Sequence, residues 1–316
     1  MNAPRIPVVL LTGFLGAGKT TLLNRLLARP DMADTLVIIN EYGDAALDHR
    51  LVTHSPEQVV TELAGGCVCC ALRGDLAQTL REAHWRFARG GRRQFERVVI
   101  ETTGLADPAP VLRTLATDPR IAERYRLACT LTVVDAFQGE ATLAAQPEAL
   151  LQIAAADRLL IAKTDQAAPA QVAALQALLG RLNPFAQQTD LQAEALTPAL
   201  LTPPGTLRLR SLPPPTAEQV HAVRSDSFTV DTPLAPERVQ AWLDAWPTVA
   251  GQALLRMKAV LDIAGEHRAQ VVHGVQHTLY PPDSLDAPAN GSTVVCITRG
   301  IDATRLTQWL GILHTQ

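Results

Sequence analysis

The sequence predicts an α/β protein in which a parallel sheet has helices on both faces, followed by a smaller α+β carboxy-terminal domain. In the amino-terminal part, short apolar runs typical of buried parallel strands alternate with helix-like segments. After a proline-rich stretch, the pattern changes to a strand, a helix, three strands and a helix, an order that suits a small α+β sandwich. A length of 316 residues agrees with two domains of this kind.

The composition is typical of a globular protein with a core. Hydrophobic residues make up 47% of the chain and charged residues 19%. A formal net charge of −3 does not indicate a nucleic-acid partner, and no apolar run approaches the ~18 residues that a membrane helix needs. Residues 1–7 run directly into the first predicted strand, so we expect no removable signal peptide and a cytoplasmic protein.

A glycine-rich loop, GFLGAGKTT, lies between an apolar run at 7–11 and a helical run at 22–27. Gly, four residues, then Gly-Lys-Thr is the pattern of a phosphate-binding loop (P-loop), in which backbone N–H groups and a helix N terminus surround phosphate oxygens. Lys19 is expected to reach the β and γ phosphates, and the Thr20 hydroxyl is expected to ligate Mg²⁺. The sequence therefore predicts a P-loop NTPase sheet. The expected nucleotide-binding residues of the loop are Gly13, Gly16, Ala17, Gly18, Lys19, Thr20 and Thr21.

Two predicted strands end in acidic segments, at the edge where ligands of open α/β sheets bind. The strand at 35–40 is followed by Glu41 and Asp44, whose carboxylates are candidate metal ligands, although a solvated loop is the alternative interpretation. The other strand ends in ETTGLADP. There, Glu101 is expected to bind Mg²⁺ through water or to orient the attacking water, and the Gly104 N–H to sense the γ phosphate. Together with Lys19, these two residues are the expected catalytic residues.

Three of the five cysteines lie within the segment GGCVCC, and they are Cys67, Cys69 and Cys70. The two glycines before them permit the sharp turn that three thiolates need to converge on one ion. Thiolates favour zinc or copper(I), and tetrahedral zinc leaves a fourth position for a carboxylate such as Glu41 or Asp44, an imidazole, a water or a partner's ligand. A redox pair and incidental cysteines are the alternatives. The other two cysteines, Cys129 and Cys296, lie in apolar runs and are expected to be small buried hydrophobes.

A later strand ends in AKTD, a candidate base-recognition motif. In guanine-specific proteins, an aspartate at this place accepts hydrogen bonds from the base, and the lysine stem packs on its ring. Lys163 and Asp165 would fill these roles, and Asp165 would repel adenine, which presents an acceptor where guanine presents a donor. A strand-end cap is the alternative for these four residues alone, but their order after the other motifs favours guanine.

The remaining elements follow from hydrophobic periodicity. In the amino-terminal part, we predict strands at 58–63, 127–136 and 157–163 and helices at 71–89 and 147–156. In the carboxy-terminal part, we predict strands at 227–230, 254–263, 270–280 and 293–299 and helices at 236–246 and 303–314. His273 and His277 would lie on one face of a strand, about 13 Å apart, so these two and His267 are expected to be structural or surface residues. The predicted division is 1–205 for the P-loop domain, 206–224 for a proline-rich linker and 225–316 for the carboxy-terminal domain.

Together, these motifs resemble the CobW-like family of metal-handling GTPases, with LLRMKAVLDI and HGVQHTLY carrying the resemblance into the carboxy-terminal part. The resemblance implies a GTPase that binds zinc, cobalt or another transition metal through the Cys-x-Cys-Cys loop. It also implies delivery of that metal to a client metalloprotein or cofactor-synthesis enzyme. Two residues depart from the family pattern: Ala162 stands where Asn or Thr is usual, and Ile39 stands where some members carry an acid. Guanine preference is expected to survive through Asp165.

We therefore expect slow hydrolysis of Mg²⁺-GTP, because no arginine finger or positioning glutamine is evident in the motifs. The cysteine loop lies in sequence between the two acidic segments, so metal and nucleotide binding should be linked by about 1–3 kcal/mol. A homo-oligomer that forms when the nucleotide binds is a further expectation.

One alternative to this function is a GTP-gated regulatory or sensor module with a structural metal. An ATP-dependent kinase is another, and Asp165 disfavours it.

Overall fold

The computed structural model describes residues 4–40, 59–63, 71–89, 92–194, 196–202, 222–285 and 291–314. These residues fall into two compact units, one within Met1–Gly180 and Phe185–Leu209 and the other within Arg181–Pro184 and Arg210–Gln316. Within the described ranges, none of the helices has the length and apolar character needed to cross a bilayer.

The first part of the chain alternates strands and helices. Its strands are β1 (Ile6–Gly13), β2 (Thr35–Asn40), β3 (Val59–Leu63), β4 (Ala88–Arg89), β5 (Arg92–Arg93), β6 (Arg97–Thr102), β7 (Tyr125–Asp135), β8 (Arg158–Ala162) and β9 (Gln187–Asp190). Its helices are α1 (Lys19–Leu27), α2 (Ala71–Arg86), α3 (Ala109–Thr117), α4 (Pro119–Ala122), α5 (Gly139–Ala145), α6 (Pro147–Ala155) and α7 (Pro169–Leu182). Short 3₁₀ turns lie at Pro30–Met32, Thr164–Gln166 and Pro198–Leu201.

A parallel sheet of seven strands, in the order β3-β2-β6-β1-β7-β8-β9, forms the centre of this unit. After β1 the chain runs toward the β3 edge of the sheet, and after β3 it runs toward the β9 edge. Because crossovers between parallel strands are right-handed, these opposite directions place α1 on one face and the later helices on the other. This confirms the predicted parallel α/β sheet with helices on both faces. The strand order also places the carboxyl end of β1 between those of β6 and β7, where Leu11 pairs with Glu101 and Gly13 pairs with Val133.

Buried apolar side chains explain why the sequence forms these strands and α1. β1 is almost entirely buried, as expected for a strand covered on both faces. In α1, the leucines at 22, 23, 26 and 27 are buried and pack with Val9 and Leu11 of β1 and Val37 and Ile39 of β2. This packing fixes the first turn of α1, and with it the glycine loop, over the sheet edge.

The predicted strand at 35–40 is confirmed to the residue, and the predictions at 58–63, 127–136 and 157–163 are confirmed within two residues at each end. The predicted helix at 71–89 ends at Arg86, because the chain then enters the short antiparallel pair β4-β5. The helix predicted at 147–156 is α6. The sequence analysis did not predict α5, which has seven residues and begins at a glycine, too short a segment to show helical periodicity.

The second unit contains an antiparallel sheet with two helices, which confirms the predicted α+β class. Its strands follow the order β10-β15-β11-β12-β13, with β14 paired to β12. The strand bounds are β10 (Val223–Val230), β11 (Leu254–Leu261), β12 (Gln270–Val275), β13 (Thr278–Leu279), β14 (Asp283–Ser284) and β15 (Ser292–Arg299); the helices are α8 (Pro236–Asp244) and α9 (Ala303–Gly311). Trp242 and Trp309 stack with ring centroids 4.7 Å apart, and the Trp309 Nε1 donates to the Trp242 carbonyl, which joins the two helices in one core.

The prediction of a single strand at 270–280 was wrong. The chain turns at Gln276, whose φ is +50°, and returns as β13. His273 therefore lies in β12 and His277 in the turn that follows it, and the two are not on one face of a single strand. A one-residue departure into the left-handed region is a property of the turn, and glutamine is not a residue type that predicts it.

Candidate functional site

The glycine loop leads from β1 into α1 through two left-handed glycines. Gly16 has φ +73° and Gly18 has φ +104°, a backbone region that favours glycine. Lys19 begins α1 and is only 8% exposed. Its Nζ donates to the carbonyls of Gly13 at 2.9 Å and Phe14 at 3.2 Å. The loop thus curls around its own ammonium group, which places a positive charge at a helix N terminus.

The Thr20 hydroxyl meets a carboxylate from the neighbouring strand. Its Oγ1 donates to Glu101 Oε1 at 2.9 Å. Glu101 lies at the end of β6 and is 5% exposed. A hydroxyl and a buried carboxylate are hard oxygen donors of the kind that Mg²⁺ binds. The structure therefore brings together two residues that the sequence analysis assigned to the same ion from separate motifs.

Gly104 lies directly against the backbone of the glycine loop. A Cβ atom at this position would come within 2.5 Å of the Leu15 nitrogen and 2.7 Å of the Leu15 Cα. Real Cβ atoms essentially never approach backbone atoms so closely, so glycine is the residue that fits here. The segment after β6 and the glycine loop are therefore in direct contact.

Lys163 is held against the same loop by Asp135, a residue that the sequence analysis missed. The Lys163 Nζ donates to Asp135 Oδ2 at 2.6 Å and to the Gly16 carbonyl at 2.8 Å. The other Asp135 oxygen, Oδ1, accepts from the backbone N–H groups of Phe137 and Gln138. One signal in the sequence could have found Asp135: it is an acid at the carboxyl end of a predicted strand, as Glu101 is on its own strand.

Asp165 lies at the exposed outer end of this arrangement. Its Oδ1 accepts from Gln192 Nε2 at 3.1 Å, and Thr164 Oγ1 next to it donates to Asp190 Oδ1 at 2.9 Å. Ala162, which precedes Lys163, is buried at the end of β8. A carboxylate that faces solvent at this edge is accessible to the donor groups of a base.

The five expected metal ligands of the loops lie outside the described residues: Glu41, Asp44, Cys67, Cys69 and Cys70. The chain enters these loops from the ends of β2 and β3. These two ends and the end of β6 are neighbours in the sheet, because Asn40 pairs with both Leu63 and Thr102. In the part of the chain that the structure describes, no group of three or more His, Cys, Asp or Glu residues could hold a metal ion.

The two cysteines that the structure describes are buried, which confirms their prediction as small hydrophobes. For Cys296, burial raises the pKa of the thiol far above its ordinary value, and the nearby Asp226 charge raises it further. A thiol that stays protonated is a poor metal ligand, since the thiolate is the coordinating form.

Two family models match the chain. The model described as CobW/HypB/UreG, nucleotide-binding domain matches residues 7–190, and the model described as Cobalamin synthesis protein cobW C-terminal domain matches residues 223–312. The two matches cover the parallel sheet and the antiparallel sheet respectively.

Curated proteins and a solved structure are also similar to this chain. Zinc chaperone YjiA of Escherichia coli (strain K12) is 32% identical over 285 residues, which cover 88% of this chain and 88% of YjiA. Zinc chaperone CobW of Pseudomonas aeruginosa is 37% identical over 153 residues, but these cover 46% of this chain and 39% of that protein. The crystal structure of Zn(II)-bound YjiA GTPase from E. coli matches with a TM-score of 0.71 and 26% identity, over 99% of this chain and 100% of that one.

Proposed function

Because this chain belongs to the CobW/HypB/UreG family and carries the cobW C-terminal domain, we propose that it is a GTPase that handles a transition metal, with zinc as the first candidate. Mg²⁺-GTP binds at residues 13–21, and hydrolysis is coupled to transfer of the metal to a client protein. The observation that carries the GTPase part is the contact between Thr20 Oγ1 and Glu101 Oε1 beside the buried Lys19.

The chain's own groups have distinct tasks in hydrolysis. Lys19 neutralises charge on the β and γ phosphates, and the loop N–H groups orient them. Thr20 would hold Mg²⁺, which when bound would neutralise charge on the same phosphates, and Glu101 would either bind that ion through water or orient the attacking water. Gly104 senses the γ phosphate from its place against Leu15. Lys163 and Asp165 bind the guanine base.

The metal is the cargo, and sulfur supplies its principal ligands. Cys67, Cys69 and Cys70 are the cysteines of the chain that stand together, and Glu41 or Asp44 completes the coordination. Similarity to two proteins named zinc chaperones favours zinc over cobalt. A clustered set of thiols requires a reducing compartment, which supports a cytoplasmic location.

Sheet topology supports linkage between metal and nucleotide. The chain enters segments 41–58 and 64–70 from β2 and β3, and it enters the Gly104 segment from β6, next to β2. In the proposed linkage, loss of the γ phosphate changes the segment after β6, and the metal loops respond because the strands that precede them end beside β6. We further propose the division 1–205, 206–224 and 225–316, with the end of the linker moved from 224 to the residue before β10, which begins at Val223. The proposed partners are a client metalloprotein or cofactor-synthesis enzyme and, in a nucleotide-dependent homo-oligomer, further copies of this chain.

The test is zinc affinity, measured by chelator competition with GDP and with a non-hydrolysable GTP analogue, and with cobalt in parallel. We expect affinity to differ about 5- to 150-fold between the nucleotides, the range of typical coupling energies, and Cys69→Ser to abolish the tight site. Cys129→Ala is the matched control, because it removes a buried thiol and should leave zinc affinity unchanged. Equal affinity with both nucleotides, and a Cys69→Ser variant that only melts earlier, would indicate a structural metal and contradict the proposal.

The ion pair between Asp135 and Lys163 should contribute to nucleotide affinity. Asp135→Ala should lower the affinity for GTP and GDP alike by about tenfold, because a charged hydrogen bond that positions Lys163 is lost. Titration with fluorescent nucleotides measures both constants. Asp31→Ala, which removes an exposed ion pair with Arg29, is the control and should change neither. Unchanged nucleotide affinity in Asp135→Ala would show that Lys163 does not depend on this carboxylate.

A further inference from the structure

Gln152 of α6 is a buried amide that contacts the segment after β6. Its side chain is 1% exposed. The Nε2 group donates to two carbonyls of that segment, those of Gly104 at 3.0 Å and Ala106 at 3.1 Å. Both donor hydrogens of one amide are thus directed at a loop 46 to 48 residues away in sequence.

The segment at 103–107 is therefore held from two sides. Gly104 abuts the Leu15 backbone of the glycine loop, while Gln152 holds the carbonyls. Two restrained carbonyls fix two peptide planes of the segment. The amide consequently determines the path of the backbone that follows Glu101.

Gln152 is itself attached to a rigid part of the molecule. The buried Thr132 of β7 donates from Oγ1 to the Gln152 backbone carbonyl at 2.8 Å. This anchor joins α6 to the centre of the parallel sheet. The sheet therefore determines where the Gln152 amide holds the 103–107 segment.

The buried amide of Gln152 has a cost in stability. Its Oε1 is buried and has no hydrogen-bond partner among the described residues, and an unsatisfied buried acceptor is destabilising. A cavity of about 280 Å³ lies beside it, lined among others by Leu15, Gly16, Lys163 and Asp135. Protein interiors are otherwise close-packed. A cavity next to the glycine loop therefore leaves room for the hydrogen bonds between Gln152 and the 103–107 segment to rearrange.

We propose that Gln152 is the positioning residue that holds the 103–107 segment, and with it Gly104, in register with the glycine loop during GTP hydrolysis. This inference rests on the proposed GTPase function. The side-chain hydrogen bonds of Gln152 go to the carbonyls of Gly104 and Ala106, so it acts through that segment. Its loss should therefore affect turnover more than nucleotide binding.

The experiment replaces Gln152 with methionine, which has a similar length and no donors, in the full chain. Hydrogen–deuterium exchange of the 103–107 amides, without nucleotide, should become about tenfold faster. In GTP hydrolysis, kcat should fall about tenfold while KM changes less than twofold. Gln152→Asn, one methylene too short to reach both carbonyls, should behave in the same way and replaces the methionine variant if that variant does not fold.

Tyr125→Phe is the matched control, because it removes a buried hydrogen bond to the Leu80 carbonyl in the same unit without touching Gln152 or the segment. It should lower the melting temperature but leave exchange at 103–107 and kcat near wild type. If the Gln152 variants changed exchange and kcat no more than Tyr125→Phe does, the positioning role would be overturned. Failure of the wild-type chain to hydrolyse GTP would instead overturn the proposed function, and exchange in the absence of nucleotide separates the two results.

Discussion

Replacing Lys19 with methionine is expected to lower kcat/KM for GTP hydrolysis by at least about 100-fold. The ammonium is almost fully buried inside the glycine loop, and in the proposed function it neutralises phosphate charge there. Removal of one preorganised electrostatic group from such a site typically costs 10²- to 10³-fold in rate. Single-turnover hydrolysis of Mg²⁺-GTP measures the effect on chemistry separately from product release.

Arg25→Met is the matched control for this variant. Arg25 is a cation on the same helix, but its side chain is exposed. We expect hydrolysis by Arg25→Met within twofold of wild type, because an exposed charge is screened by water and salt. A Lys19→Met variant that hydrolysed GTP as fast as Arg25→Met would show that the glycine loop is not the phosphate site.

Gly104→Ala is expected to have the second largest effect. The added methyl group would lie 2.5 Å from the Leu15 nitrogen, so either the segment after β6 or the glycine loop must move. We expect a loss of about 1–3 kcal/mol in the free energy of unfolding, as for other overpacked sites. A fall of about 100-fold in kcat should accompany it, since a displacement of about 1 Å in a catalytic loop can have that effect. Denaturant titration and GTP turnover measure the two quantities.

Gly180→Ala provides the control for a glycine-to-alanine change. Gly180 lies in α7, and the nearest atom to an added Cβ is Gln188 Nε2 at 3.5 Å, an ordinary contact. Alanine is the better helix former by about 1 kcal/mol, so this variant should be as stable as wild type or slightly more stable, with unchanged turnover. Normal turnover and stability in Gly104→Ala would contradict the close contact with Leu15.

Some elements of the fold could be predicted because their signals are local. The strand at 35–40 and the first turn of α1 follow from runs of buried apolar residues and from glycines that permit a left-handed backbone. The hairpin at Gln276 could not be predicted, because the positive φ of one residue reverses the chain and no glycine, proline, asparagine or aspartate stands at 275–278 to mark the turn. α5 is too short to show a period.

By itself, the sequence determined the chemistry of the glycine loop, the set of clustered thiols and the two-part organisation, because each depends on neighbouring residues. Only the tertiary structure decided which distant groups meet. Thr20 contacts Glu101 across 81 residues, and Lys163 contacts Gly16 across 147. Gln152 reaches Gly104 across 48. These contacts depend on the order of strands in the sheet, and local patterns of residues do not encode that order since any two buried strands present similar apolar faces.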